Sequence, residues 1–207
     1  MRRTILVFCA ATLALAACST PTTTNGTPTP TSGGGSNSNP PKSANPAPEV
    51  PKVEKPIDLA QIKQTPCKAL TEAQAEELLG PTTETAAQPD GAAGPACRWS
   101  VPSTTRPRVN VIFSKSPDGG TASVYQAKGG AYELVEPLKP IDGYPLTAYG
   151  TKDERPSGKC SVALGTSDNE TIDIVLEQSE ANIGKKDPCD AAREAAIRVL
   201  TTVRGGN

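Results

Sequence analysis

The sequence predicts an α+β domain: a single antiparallel β-sheet with helices packed on one face, stapled by two disulfides. Short runs in the middle of the chain alternate between apolar and polar residues, which is the period of β-strands. Helix signals lie before and after these runs, and such separate blocks are typical of the α+β class. Four of the six cysteines lie in this part of the chain, and an even number in an exported domain indicates disulfides.

The first helix is predicted from its capping signals. Thr71 stands at the N-cap and Gln74 three positions later, which is the pattern of a capping box. The pair Gly80-Pro81 ends the helix. We interpret the lead-in at 57–64 as a short strand and residues 81–96 as a weakly apolar loop.

The middle of the chain is predicted to be mostly strands. Residues 97–101 and 108–113 have the alternation of half-buried strands. A short helix is expected at 121–128, between two glycine pairs. Residues 132–138 and 145–149 are weaker strand candidates, because prolines and a turn interrupt them.

The last third is predicted to be a hairpin followed by a helix. Residues 160–165 and 172–177 alternate on either side of a turn, which gives an antiparallel hairpin with one apolar face. Asp187 is placed to cap the final helix, with Pro188 at its first position. The apolar face of that helix carries Cys189, Ala192, Ala196, Val199 or Leu200, and Val203.

The cysteine positions favour one of the three pairings that four cysteines allow. Cys67 lies just ahead of the first helix, and Cys97 opens the first strong strand. Cys160 lies on the apolar face of its strand, and Cys189 in the first turn of the last helix. Bridges Cys67–Cys97 and Cys160–Cys189 would each tie a helix N-terminus to the sheet. The crossed pairings stay open if the two helices are neighbours.

Residues 1–17 have the plan of a secretory signal peptide: Arg2 and Arg3, then an apolar run. That run is too short to span a bilayer, which needs about 20 residues. Leu15-Ala16-Ala17-Cys18 resembles the lipobox of bacterial lipoproteins, in which the cysteine sulfur takes a diacylglyceryl group and becomes the new N-terminus. The resemblance implies lipidation of Cys18 and anchoring to the extracytoplasmic face of the cell membrane. The alternative is an ordinary signal peptide that leaves Cys18 as a free thiol.

The sequence therefore predicts three segments: the signal peptide at 1–17, the lipidated cysteine with a linker at 18–56, and the domain at 57–207. Residues 19–50 are nearly all Thr, Pro, Ser, Gly and Asn. Such a segment cannot bury enough apolar surface to offset its ordering entropy. We therefore expect a disordered spacer that is dispensable for folding, whose Thr/Pro clusters could alternatively carry O-linked sugars.

Composition excludes several classes of site. The chain has no histidine and no Cys-x-x-Cys pair, so we expect no metal, no cofactor and no histidine-based nucleophile. A net charge of −1 with few aromatic residues argues against nucleic acid as a partner. A carboxylate pair is the remaining catalytic arrangement. Its candidates are Glu133, Glu136, Asp142, Asp153 and Glu154, although carboxylates on loops are usually just solvated.

Two further places are candidates for binding. Arg98 and Trp99 stand beside Cys97, but alternation along a strand favours Trp99 in the core and Arg98 in solvent. The charged loop at 151–159 could meet a partner, and exposed charge is the simpler interpretation of it.

The motifs as a whole resemble a known family. Pro66-Cys67-Lys68-Ala69-Leu70-Thr71, Cys97-Arg98-Trp99, a strand Cys160 and Asp187-Pro188-Cys189 look like actinobacterial cell-envelope lipoproteins built on a domain of unknown function. The likeness covers 57–204 and implies no established activity and no catalytic residues. A looser likeness, in architecture and cysteine placement, is to the extracellular sensor domain of a mycobacterial serine/threonine kinase.

These observations favour a non-catalytic binding lipoprotein for a small molecule or an envelope component. One alternative is an accessory protein that docks on a membrane or secreted partner protein. The other is an envelope hydrolase that uses a carboxylate pair. A concave pocket with a few polar groups would favour binding, and two carboxylates about 5–9 Å apart in a cleft would favour hydrolysis.

Overall fold

A computed structural model describes residues 49–81, 83–102, 107–115 and 119–205. Within them the helices are α1 (Ala60–Gln64), α2 (Glu72–Leu79), α3 (Gly120–Gln126) and α4 (Pro188–Gly205). The strands are β1 (Glu84–Gln88), β2 (Ala96–Ser100), β3 (Arg108–Phe113), β4 (Leu134–Ile141), β5 (Tyr144–Gly150), β6 (Lys159–Gly165) and β7 (Thr171–Glu177). Short 3₁₀ helices occupy Pro66–Ala69, Arg155–Ser157 and Glu180–Asn182.

The described strands form one antiparallel sheet of seven, in the order β1-β2-β3-β7-β6-β5-β4. Two meanders, β1 to β3 and β4 to β7, meet where β3 pairs with β7 and Val111 lies opposite Ile174. The predicted hairpin of β6 and β7 is present, with Val162 opposite Ile174. The α+β class, the single antiparallel sheet and the two disulfides are therefore confirmed.

One face of the sheet, here called the first face, carries the main core. Trp99 and Phe113 are its largest fully buried side chains. Helix α4 covers this face and turns Ala192 and Ala196 towards it, both fully buried. Small residues let the helix approach the strands closely, so the large side chains of the sheet fill the space between them. Complete burial of a large apolar side chain is worth about 1.5–3 kcal/mol.

The two disulfides join the pairs that the cysteine positions favoured. Cys67 bonds to Cys97 and Cys160 bonds to Cys189, with sequence separations of 30 and 29 residues. Cys67 lies in the 3₁₀ helix ahead of α2, and Cys189 lies in the first turn of α4. Each bridge ties the start of a helical segment to a strand of the sheet, as expected.

The predicted helix caps also form. In the capping box of α2, the backbone N–H of Gln74 donates to Thr71 Oγ1 at 3.2 Å, and the N–H of Thr71 donates to Gln74 Oε1 at 2.8 Å. At the start of α4, the N–H of Cys189 donates to Asp187 Oδ1 at 2.8 Å. These bonds satisfy backbone donors that have no partner within the helix.

Helix α3 lies on the opposite face, here called the second face, whereas the sequence placed the helices on one face only. Val124 of α3 packs with Val135 and Ala163 in a separate small core. Gly165 permits this contact, since a Cβ built on it would lie 2.5 Å from Thr121 Oγ1. Alternation along β6 predicted which residues face this side, but not that a helix would cover them.

Two local predictions were wrong. Strand β1 lies inside the predicted loop at 81–96 and pairs with β2, Ala86 opposite Arg98. Its sequence has a single β-branched residue, so pairing with β2 rather than its own propensity makes it a strand. The lead-in at 57–64 contains α1 instead of a strand, and Asp58 Oδ1 accepts the N–H of Ala60 at its start, at 2.8 Å.

The packed domain begins before residue 57, where the sequence analysis placed its boundary. Val53 is 7% exposed and belongs to the main core. Its N–H donates to Asp168 Oδ1 at 3.1 Å, and the carbonyl of Lys55 accepts the hydroxyl of Tyr144 at 2.8 Å. A single valine in a polar segment is too weak a sequence signal to predict this docking, because the docking depends on contacts with residues distant in the chain.

The predicted signal peptide, Cys18 and the linker up to residue 48 lie outside the described residues. Among the helices that the structure does describe, none combines the length and the apolarity that a membrane span requires.

Candidate functional site

The structure separates the two residues that the sequence analysis considered together for binding. Trp99 is 2% exposed and lies in the main core. Arg98 is partly exposed and points to the second face, because successive side chains of a strand alternate between faces. The indole of Trp99 is therefore enclosed by the core, as alternation along the strand predicted.

Four of the five predicted carboxylates are paired with cations. Arg155 lies between Glu136 and Asp153, with its Nη1 3.0 Å from Glu136 Oε2 and its Nη2 2.7 Å from Asp153 Oδ2. Hydrogen bonds from Arg155 hold the pKa of Asp153 below its usual range. Of the other candidates, Asp142 pairs with Arg204, Glu154 with Lys159, and Glu133 is exposed.

A cluster of Asp173, Tyr149 and Tyr132 on the second face is the strongest candidate site; we call it the tyrosine–aspartate cluster. Asp173 of β7 lies opposite Ala163 of β6, and Tyr149 of β5 lies opposite Ser161, two residues away in β6. Tyr132 precedes β4, and its ring centroid is 5.0 Å from that of Tyr149, with the rings tilted by 55°. All three cluster residues are partly exposed, beside the edge of α3.

Burial controls the electrostatics of the cluster. It raises the pKa of Asp173 to about 6, although the hydroxyls of Tyr149 and Thr171 interact with the carboxylate and favour its charged form. Burial, and then the charge of Asp173, raise the pKa of Tyr149 far above its usual range. The phenol therefore stays protonated and donates to the carboxylate. Within the described residues, Asp173 takes part in no ion pair.

Unpaired hydroxyl groups line the same face beneath α3. Thr147 is 0% exposed and lies opposite Ala163, which lies opposite Asp173. Its Oγ1 has no hydrogen-bond partner, and neither does Oγ1 of Thr121, which approaches Gly165. A buried hydroxyl without a partner costs free energy. The second face thus combines a carboxylate without a cation and two hydroxyls without partners, which is an arrangement suited to a polar or cationic ligand.

The comparisons with known proteins place the chain in a family. The family model described as "Protein of unknown function (DUF3558)" matches residues 13–202. The chain belongs to this family. No curated protein and no solved structure matches it. The membership thus agrees with the resemblance to a domain of unknown function and supplies no activity.

Sequence reasoning missed the tyrosine–aspartate cluster of this DUF3558 chain. Asp173 alternates with Ile172 and Ile174, so it lies on the opposite side of the strand from the predicted apolar face. The signal that could have found it is the predicted helix at 121–128, whose apolar Val124 needs a partner, together with the alanine at position 163 on the polar side of β6.

The surface grooves of this DUF3558 domain are lined by mixed charges. The largest, of about 640 Å³, lies between α2 and α4 and carries both Lys186 and Arg193 and both Asp187 and Asp190. A binding pocket for a drug-sized molecule is usually apolar with a few convergent polar groups. The groove does not have that character, so it is a weaker candidate than the tyrosine–aspartate cluster.

Proposed function

We propose that this chain is a non-catalytic binding lipoprotein, anchored to the extracytoplasmic face of the cell membrane through lipid on Cys18. The observation that carries the proposal is the pair of disulfides, Cys67–Cys97 and Cys160–Cys189, within one domain. Structural disulfides persist in oxidising compartments and are rare where thiols are kept reduced. A domain with two of them fits export, and export is what residues 1–17 encode on our interpretation.

The lipobox-like stretch that ends at Cys18 supports the anchor. It follows an apolar run that is too short to span a bilayer, which needs about 20 residues. We propose that the protein is an envelope lipoprotein of the actinobacterial kind that its motifs resemble. Residues 19–48 would then separate the lipid from the folded domain, whose core includes Val53. The looser likeness to a kinase sensor domain fits a role in sensing or holding a ligand outside the cell.

Two features support binding rather than catalysis. Arg155 pairs with both Glu136 and Asp153, and this supports binding because paired carboxylates are less available to act as a general acid and base. The tyrosine–aspartate cluster combines an unpaired carboxylate with aromatic rings and polar hydroxyls, which can hold a ligand by charge, ring contacts and hydrogen bonds. We infer that this cluster holds a small molecule or an envelope component.

The anchor is tested by replacing its cysteine. We compare the full chain, Cys18→Ala, and the matched control Cys9→Ala, which changes a cysteine inside the predicted signal peptide. Expressed in a lipoprotein-processing bacterium, the wild type and Cys9→Ala should enter the detergent phase on phase separation. Cys18→Ala should enter the aqueous phase or accumulate as an unprocessed precursor. Normal processing of Cys18→Ala with retention in the detergent phase would refute the lipoprotein proposal.

A further inference from the structure

Among the described residues, no cation pairs with the carboxylate of Asp173. A carboxylate can accept about four hydrogen bonds, and the structure fills two of these positions with the hydroxyls of Tyr149 and Thr171. Partly buried charges are normally paired, because desolvation penalises an isolated ion. Asp173 therefore has both the capacity and the energetic reason to take a cation from outside the chain.

The basic residues of the described strands on the second face do not pair with Asp173. Lys159 of β6 pairs with Glu154. Arg98 lies in β2, so β3 separates it from Asp173 in β7. Arg108 lies in β3 and is paired with Glu177, with 2.5 Å between Nη2 and Oε2. Neither arginine contributes to the electrostatics of the Asp173 carboxylate. Ala163 of β6 and Ile112 of β3 lie opposite Asp173. Tyr149 and Thr171 interact with its carboxylate, and none of these four residues is positively charged.

The aromatic rings beside Asp173 indicate what kind of cation would fit. Tyr132 and Tyr149 present two ring surfaces 5.0 Å apart between centroids and inclined to each other, and Tyr125 packs against the same small core. The face of an aromatic ring is electronegative and attracts ammonium groups, which is the basis of aromatic cages for alkylated amines. A hydrated metal ion would gain less from these rings than an organic cation would.

We propose that the tyrosine–aspartate cluster binds the ammonium group of a small amine, with Asp173 as the counter-ion and Tyr132 and Tyr149 as the walls. All three residues of the cluster are partly exposed, so a ligand can approach them from solvent. The proposal rests on the binding function proposed above and names the ligand class for that site. The same ammonium chemistry occurs in soluble amines and in lipid headgroups.

The test measures binding of choline and ethanolamine to the full-length chain in detergent, by calorimetry and by the NMR signals of the tyrosine rings. The uncharged control ligand is 3,3-dimethylbutan-1-ol, which has the shape of choline without its charge. Micelles that carry phosphatidylethanolamine, in a separate arm, distinguish a lipid headgroup from a soluble amine. The protein variants are Asp173→Asn, Tyr132→Leu and the matched control Asp142→Asn, which changes an exposed aspartate paired with Arg204.

We expect at least one of the two ammonium probes to bind and to shift the tyrosine signals. Asp173→Asn should weaken that binding about tenfold or more, because it removes the counter-ion. Tyr132→Leu should weaken it about fivefold, the value of one exposed cation–π contact, and Asp142→Asn should bind as the wild type does. Lowering the pH from 7.5 to 5 should weaken binding about tenfold as Asp173 becomes protonated.

Three results would overturn the inference: neither probe binds, the uncharged alcohol binds as well as choline, or Asp173→Asn binds as the wild type does. Failure here is distinct from failure of the proposed anchor, because detergent partitioning of Cys18→Ala does not depend on Asp173. A protein that partitions as a lipoprotein but ignores amines would retain the proposed location and lose this ligand class.

Discussion

The stability of the domain should increase as the pH falls from 7 to 5, and Asp173 should be the cause. Burial raises the pKa of Asp173 in the folded protein to about 6, from a model value of 3.8. Because the folded pKa is the higher one, the folded state binds the proton more tightly than the unfolded state does. The resulting stabilisation is fully present below the unfolded pKa and is lost as the pH rises through the folded pKa.

The size of the effect follows from the two pKa values. At pH 7 both states are almost fully ionised, so the contribution is close to zero. At pH 5 the folded carboxyl is mostly protonated and the unfolded one is not, which stabilises the fold by about 1 kcal/mol. For a domain of this length that corresponds to a rise in Tm of about 3 °C. The lowered pKa of Asp153 acts in the opposite direction, but only as the pH falls below its ordinary value of 3.8.

Urea denaturation at several pH values between 5 and 7 measures this effect. The wild type should gain about 1 kcal/mol over that interval. Asp173→Asn should not, because an amide does not titrate, and its free energy of unfolding should be nearly constant over the same interval. Equal pH dependence in the wild type and in Asp173→Asn would refute the argument. Asp142→Asn, at an exposed aspartate, should retain the wild-type dependence.

Three further changes test the fold by urea denaturation. Replacing both Cys160 and Cys189 by serine should cost about 3–4 kcal/mol, from the 29-residue separation of the bridge; an unchanged midpoint would contradict its role as a staple. Thr71→Ala should cost about 1 kcal/mol through loss of the α2 N-cap, whereas Thr201→Ala, on the exposed side of α4, should cost less. Val53→Ala should cost about 1–2 kcal/mol, and no loss would show that residues before 57 are dispensable after all.

The elements that the sequence predicted well are those whose signals are local. The capping box at Thr71 and Gln74 depends on two residues three positions apart, and it forms as expected. The hairpin of β6 and β7 depends on alternation within a few residues. The disulfide pairing followed from placing each cysteine on one of these elements, so it was confirmed along with them.

The features that the sequence did not predict depend on contacts distant in the chain. Strand β1 exists because β2 offers it a partner, and Val53 is buried because Asp168 and the core receive it 115 residues away. Asp173 has the same local pattern as any exposed strand residue. Its partial burial depends on neighbours from other strands, such as Tyr149 of β5, which alternation in β7 does not encode.

Mass spectrometry of the mature N-terminus, on protein extracted from the membrane of a lipoprotein-processing bacterium, tests the proposed function most directly. We predict an N-terminal peptide that begins at Cys18 and carries a diacylglyceryl group on its sulfur. A mature chain that begins at another residue, or one in which Cys18 is an unmodified thiol, would contradict the account.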